Sequence, residues 1–297
     1  MSTPASGRFG TGLLLAGTGS VLFSGKAIVI KLAYRYGVDA ETLLALRMLL
    51  AVPFFVAVLW WTSRGARPLT PTEHAKVVVL GLLGYYAASY ADFLGLQYIS
   101  AGLERLILFL NPTIVLVLSV LFFARRVDRR DLIALALAYG GIVLVFWHDV
   151  HAGGQVVLGA SLVFVSAVTY AVFLVLAGEV VQRIGALRLT AYAMCVSSAA
   201  VCVQFALMRP LAGLAQPAPV LWLSLINAVA CTVVPVFAMM LAIARIGAGN
   251  ASMMGMIGPV STIVLGFLFL GEAISGWQLA GTALVLGGVF VLSKKAA

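Results

Sequence analysis

Apolar residues fill this chain in long runs, and polar residues interrupt them only in short bursts. A bilayer core needs roughly 20 predominantly apolar residues per helix. By that length the runs predict ten membrane-spanning helices, near 11–33, 40–62, 76–97, 102–123, 131–147, 156–178, 188–208, 220–243, 247–270 and 274–293. The longest connections, SRGARPLTPTEH (63–74) and RPLAGLAQPAP (209–219), are Pro-rich turns. No stretch is left for a soluble domain, so the fold class read from the pattern is all-α integral membrane. The polar start, MSTPASGRFG, leads straight into the first apolar run, and that helix is expected to stay as an anchor.

The fourth run, GLERLILFLNPTIVLVLSVLFF (102–123), has a twin. A shift of 147 residues, without gaps, sets Ala101-Gly102 on Ala248-Gly249, Pro112 on Pro259, Leu121-Phe122 on Leu268-Phe269, and Gly140-Gly141 on Gly287-Gly288. Upstream, Gly12 falls on Gly159. The chain therefore reads as two five-helix halves, 1–148 and 149–297, which together form one domain. Five spans is an odd number, so the halves are expected to sit in the membrane as inverted repeats. That architecture is typical of secondary transporters with a site near the bilayer midplane.

The scaffold repeats, but the chemistry does not. Glu104, Leu108 and Asn111 share one helical face. Their counterparts are Ala251, Gly255 and Gly258. Small residues at 247, 251 and 255, and at 258, 262 and 266, predict close packing of the ninth helix. Pro112 and Pro259 are expected to bend both helices and open space at mid-depth.

Composition agrees with the pattern. The chain is 63% hydrophobic and 10% charged, with a mean hydropathy of +1.10. Soluble domains have about 45–50% apolar and about 25% charged residues. The formal net charge of +9 follows from topology. With the N-terminus in the cytoplasm, Arg8, Arg64, Arg67, Lys76, Arg125, Arg126, Arg129, Arg130, Arg183, Arg188, Arg245, Lys294 and Lys295 all face inward. Only Arg35 and Arg209 clearly face outward. This asymmetry predicts both termini inside, and it removes any need for a nucleic-acid partner. Trp60, Trp61, Trp147, Trp222 and Trp277 fall at predicted span borders, as an interfacial belt does. Cys195, Cys202 and Cys231 lie in apolar runs without metal-type spacing and read as packing residues. His148, Asp149 and His151 read as a solvated loop rather than a metal site.

Ionisable residues inside spans are costly, at about 2.5–3.5 kcal/mol each on insertion scales, and are functional candidates by default. Here they are Lys26, Arg47, Asp92, Glu104 and Arg105, all in the first half. Depth along the helices lets the first four converge on one cavity in the outer half of the membrane. Lys26 is the leading candidate for a substrate carboxylate, with Arg47 as alternate. The competing account is mutual neutralisation, Lys26 with Asp92 or Arg47 with Glu104. Arg105 and Lys31, near helix ends, are expected to snorkel. In YYAASYADF (85–93), Tyr85, Ser89 and Asp92 share one face and Tyr86, Tyr90 and Phe93 the next. Such a polar-aromatic wall suits an amphipathic substrate. Tyr170 is placed like Phe23 and offers a second aromatic wall.

Three stretches carry a resemblance: FSGKAIVIK (23–31), ALRMLLAVPFF (45–55) and GPVSTIVLGFLFLGEAISGWQLAGTALVLGG (258–288). On them the chain resembles the drug/metabolite transporter superfamily, EamA type, over essentially its whole length, and within it the YddG-like bacterial amino-acid exporters. The last stretch is similar to the Pro…Gly-Glu…Gly pattern that closes each EamA repeat. The first repeat departs from it, with Ala124-Arg125 in place of Gly271-Glu272. The resemblance implies a ten-helix inner-membrane carrier that exports metabolites, amino acids or drugs without ATP, as a monomer and with no cofactor. The rival class is an integral-membrane enzyme acting on a lipid-linked substrate. It finds no HExxH, GxSxG or P-loop motif and no acidic pair at catalytic spacing.

Overall fold

The structure, a computed structural model, describes residues 4–123, 127–151 and 155–296; among them there is no strand. Nine of the described helices are long and apolar enough to cross a membrane. They are α1 (Phe9–Tyr34), α2 (Ala40–Ser63), α3 (Pro71–Gly95), α4 (Ala101–Phe122), α5 (Arg129–Val150), α6 (Val156–Ile184), α7 (Ala186–Met208), α8 (Ala218–Gly247) and α9 (Met253–Leu270). A tenth, α10 (Gly276–Leu292), is apolar but shorter. Each lies on one of the ten runs.

Three boundaries differ from expectation. α3 begins at Pro71 rather than near 76, because Thr70 and Glu73 form a capping box. The Thr70 hydroxyl accepts the Glu73 N–H at 3.3 Å, and the Glu73 carboxylate accepts the Thr70 N–H at 2.9 Å. α6 runs on to Ile184. His148 and Asp149 sit in the last turns of the helix Arg129–His151, not in a loop, and face each other at 3.3 Å. Ala124-Arg125, where the first repeat departs from the Gly-Glu pattern, lies outside the described residues.

Element boundaries recur at the offset of 147. The segment Pro71–Gly81 is matched by Ala218–Ala228. The π-helical turn Leu82–Ala87 in α3 is matched by Val229–Val233 in α8. The start of α5 at Arg129 is matched by that of α10 at Gly276. α4 is interrupted at Phe109 and Leu110, and α9 at Met256. Both breaks lie just ahead of a proline. Proline has no N–H, and its ring collides with the carbonyl four residues back: Leu108 for Pro112 and Gly255 for Pro259. The two freed carbonyls find different donors. Asn111 Nδ2 donates to Leu108 at 2.6 Å, whereas Ser20 Oγ of α1 donates to Gly255 at 3.1 Å.

Equivalent helices meet antiparallel. A Cβ on Gly141 of α5 would fall 2.5 Å from the Gly281 carbonyl oxygen of α10, and one on Gly288 would fall 2.7 Å from that of Ala134. Numbers rise along one helix as they fall along the other. The shift of 147 also carries Gly141 onto Gly288 and Ala134 onto Gly281, so the contact maps onto itself with the halves exchanged. Side chains here would force the backbones apart, which explains the glycines. α2 and α7 are likewise antiparallel. Ser198 meets Met48 at 3.8 Å, and Arg209, just beyond α7, reaches Glu41 at the start of α2 at 3.3 Å.

Burial is inverted relative to a soluble protein. All five tryptophans are at least half exposed, as are Phe122 and Leu207, whereas Lys26, Arg47, Asp92, Glu104 and Arg105 are buried. An apolar outside and a charged inside suit hydrocarbon as solvent.

Candidate functional site

A cavity of about 450 Å³ lies between the halves, within the range of ligand sites. α1 supplies Phe23 and Lys26, α2 Arg47, and α3 Tyr85, Ser89 and Asp92. α4 supplies Arg105, Leu108, Phe109, Asn111 and Pro112, and α6 Ser166 and Tyr170. Met239, Ile243, Ala251 and Val289 line it from the second half. The π-turn in α3 carries Tyr85 and ends two residues before Ser89. Such insertions re-aim side chains and are frequent at functional sites.

The charges divide unevenly. Lys26 Nζ lies 2.6 Å from Asp92 Oδ2 and 3.3 Å from Glu104 Oε1. One ammonium thus clasps both intramembrane carboxylates. Of the two pairings the sequence left open, Lys26 with Asp92 forms and Arg47 with Glu104 does not. Arg47 donates to Ser89 Oγ at 2.9 Å and lies over the Phe93 ring at 4.9 Å. Arg105 does not snorkel. It is buried, lines the cavity, and lies over the Phe23 ring at 5.0 Å. A Cβ on Gly258 would fall 2.5 Å from its Nη2, so the missing side chain in the second half makes room for the guanidinium of the first.

Other candidates separate. Tyr85, Ser89, Asp92 and Asn111 line the cavity together, but Tyr90 does not, and donates to Glu41 at 3.1 Å near the start of α2. Tyr90 is one residue past Ser89, about 100° around the helix, which turns it off the cavity face. Glu104 is 1% exposed and sits behind Lys26 rather than in the wall. Asn111 spends its amide N–H on the Pro112 break, leaving Oδ1 buried without a partner. Tyr170 joins Tyr85 edge-on, with ring centres 6.3 Å apart. Pro112 touches the cavity, and Pro259 is buried outside it.

Beyond the charged residues of the cavity, the ends of α1, α4 and α9 are tied together. Lys31 does not snorkel; it donates to the Ile99 carbonyl at 2.7 Å and lies 3.2 Å from Glu272 Oε1. Glu272 also accepts the Ala101 N–H at 3.1 and 3.2 Å, placing a carboxylate on the N-terminus of α4. Gly271, at φ 72°, makes the left-handed turn that aims it there. Arg35 donates to the Leu270 carbonyl at 2.6 Å. Glu272 was visible in the sequence only as half of a Gly-Glu motif. Toward the opposite end, Met239, Ile243, Ala251 and Val289 form an apolar wall.

Comparisons with known proteins agree with this architecture. The model of the EamA-like transporter family matches twice, at residues 10–147 and 157–294. The uncharacterized transporter YcbK of Bacillus subtilis is 34% identical over 292 residues, covering 95% of this chain and 90% of its own. An uncharacterized transporter of Archaeoglobus fulgidus is 26% identical over 301 residues, covering 96% and 98%. A crystal structure at 19% identity superposes with a TM-score of 0.65 over 97% of this chain and 99% of that one, a likeness of fold.

Proposed function

The chain belongs to the EamA-like transporter family, and from that premise we propose that it is a bacterial inner-membrane secondary transporter that exports small amphipathic metabolites, amino acids with aromatic or other apolar side chains among them. The two five-helix halves, 1–148 and 149–297, act as inverted repeats of one transport domain and give alternating access. The protein works as a monomer, surrounded by membrane lipid. One observation carries the reading: a cavity between antiparallel halves, sharply polar at its tied end and apolar toward the other. Residues Lys26, Arg47, Tyr85, Ser89, Asp92 and Asn111 surround the substrate. Tyr90 and Glu104 act from behind the wall.

The basic residues Arg64, Arg67, Lys76, Arg183 and Arg188 share the untied end. Lys76 pairs with Glu179 at 2.8 Å there, and Arg188 donates to the Arg67 carbonyl at 3.1 Å. With that end cytoplasmic, the cavity is in an inward-facing arrangement. The pull of the Pro112 and Pro259 breaks against helix packing supplies the hinges for closure. An enzyme acting on a lipid-linked substrate needs an acid–base or nucleophile pair. The one carboxylate in this wall, Asp92, is held by Lys26.

Counterflow of radiolabelled amino acids and small carboxylates in sealed proteoliposomes tests the reading. Accumulation above protein-free vesicles is expected, and its absence for every compound would count against a carrier. Ala215→Cys, in a background lacking the native cysteines, should react with an impermeant maleimide in spheroplasts. Protection would reverse the proposed orientation.

A further inference from the structure

The charge inventory of the cavity reaches further than the family does. Three buried cations, Lys26, Arg47 and Arg105, stand against two buried carboxylates, Asp92 and Glu104. The sum, three minus two, leaves one positive charge in a region where an uncompensated ion is strongly unfavourable. Both carboxylates are clasped by Lys26. Neither Arg47 nor Arg105 takes part in an ion pair among the described residues, and all the acidic residues of the chain are described. Both guanidinium groups line the cavity.

The one carboxylate in this wall already faces a cation: Asp92 Oδ2 accepts from Lys26 at 2.6 Å. A guanidinium fork matches a carboxylate in geometry and charge. Phe23 and Tyr170 supply faces for an apolar body.

Building on the carrier reading above and narrowing its cargo, we infer that among small amphipathic metabolites the site prefers a monoanionic carboxylate with an apolar or aromatic body over an amino-acid zwitterion, its carboxylate held by Arg47 and Arg105 rather than by Lys26. The excess charge is then neutralised only when cargo is present, so the loaded cavity crosses the membrane neutral. A zwitterion brings no net charge and leaves its ammonium without an acidic partner. A cation adds to the excess.

Three compounds with one phenylalkyl body separate these cases: 3-phenylpropionate, phenylalanine and phenethylamine. Binding to the purified full chain is measured at pH 7.4 by ligand-induced thermal shift over a concentration series. The expected result is that 3-phenylpropionate binds at least about tenfold tighter than phenylalanine and that phenethylamine gives no shift. Arg105→Gln and Arg47→Gln should each weaken 3-phenylpropionate about tenfold. Arg47→Lys and Arg105→Lys, which keep the charge but lose the fork, guard against misfolding and should weaken it less than the Gln variants. Phenylalanine binding as tightly as 3-phenylpropionate, no binding by any of the three, or indifference to both arginines would overturn the inference. Retained 3-phenylpropionate binding with no counterflow of any compound would leave this site standing and sink the carrier reading instead.

Discussion

α4 and α9 are the same helix twice, and they do opposite work. Both are interrupted just ahead of a proline, at Phe109–Leu110 and at Met256. α4 carries Glu104, Arg105 and Asn111 into the interior, while the counterparts of Glu104 and Asn111 in the second half are Ala251 and Gly258. The plain helix is no passive copy, because Gly258 leaves the volume that the Arg105 guanidinium occupies. The lesson is that a duplicated backbone lets one copy specialise in charge while the other specialises in space. The same division holds at the cavity's clasp. Lys26 on α1 gathers two carboxylates, while its counterpart Phe173 on α6 packs into the groove of Gly84.

The strongest way to break this comparison is to remove the clasp. Lys26→Met leaves two buried carboxylates without their shared cation, and breaking such a pair costs about 3–5 kcal/mol. Folded yield by size-exclusion chromatography should collapse. Adding Asp92→Asn and Glu104→Gln should restore most of it. A Lys26→Met protein that folds like wild type but binds no carboxylate would return Lys26 to the role of substrate contact.

A smaller effect is expected from filling the space. Gly258→Ala crowds Arg105, and overpacking of this kind costs about 1–3 kcal/mol. It should lower the thermal midpoint, and Arg105→Ala in the same protein should relieve part of the loss. Additive losses in the double variant would show that the two residues do not compete for one volume.

The proline breaks give a matched pair. Asn111→Ala frees the Leu108 carbonyl in one half, and Ser20→Ala frees the Gly255 carbonyl in the other. Each hydrogen bond contributes about 0.5–1.5 kcal/mol. The two losses should be similar and should add. A much larger loss for Asn111→Ala would assign its buried Oδ1 a further partner.

The smallest effect concerns pH where the start of α2 meets the end of α7. Burial pushes Asp39 up, but hydrogen bonds from the Thr42 backbone N–H and hydroxyl, together with the Arg209 charge, outweigh it and hold its carboxyl below the usual range. Its contribution is therefore complete above the unfolded value of about 3.9 and is lost as pH falls through the lower folded value. A modest fall in thermal midpoint is expected as pH drops below about 4, part of which Asp39→Asn should abolish. An unchanged profile in Asp39→Asn would assign the acid sensitivity elsewhere.

Much of this was written in the sequence, because hydropathy, glycine and proline act locally. Apolar run lengths gave the ten helices, and a proline with a Gly-Gly pair gave the 147-residue repeat that element boundaries later followed. The Thr70–Glu73 capping box is equally local, yet it lies in a Pro-rich stretch that reads as a turn. Intramembrane position singled out Lys26, Arg47, Asp92 and Glu104 as residues that must meet something. It did not say what they meet. Lys26–Asp92 and Arg47–Glu104 were equal on depth, and only the packing of α1 on α3 and α4 chose the first and left Arg47 to Ser89. Arg105 looked free to reach the interface because helix position gives height but not direction. The tertiary structure turned it inward, onto Phe23 and into the space above Gly258. The π-turns likewise have no residue signature here, since an inserted residue is stabilised by the neighbours it fits rather than by its own chain. Composition and periodicity thus determined the scaffold, while charge partners, set by distances of a few ångströms between segments far apart in the chain, were decided by the fold alone.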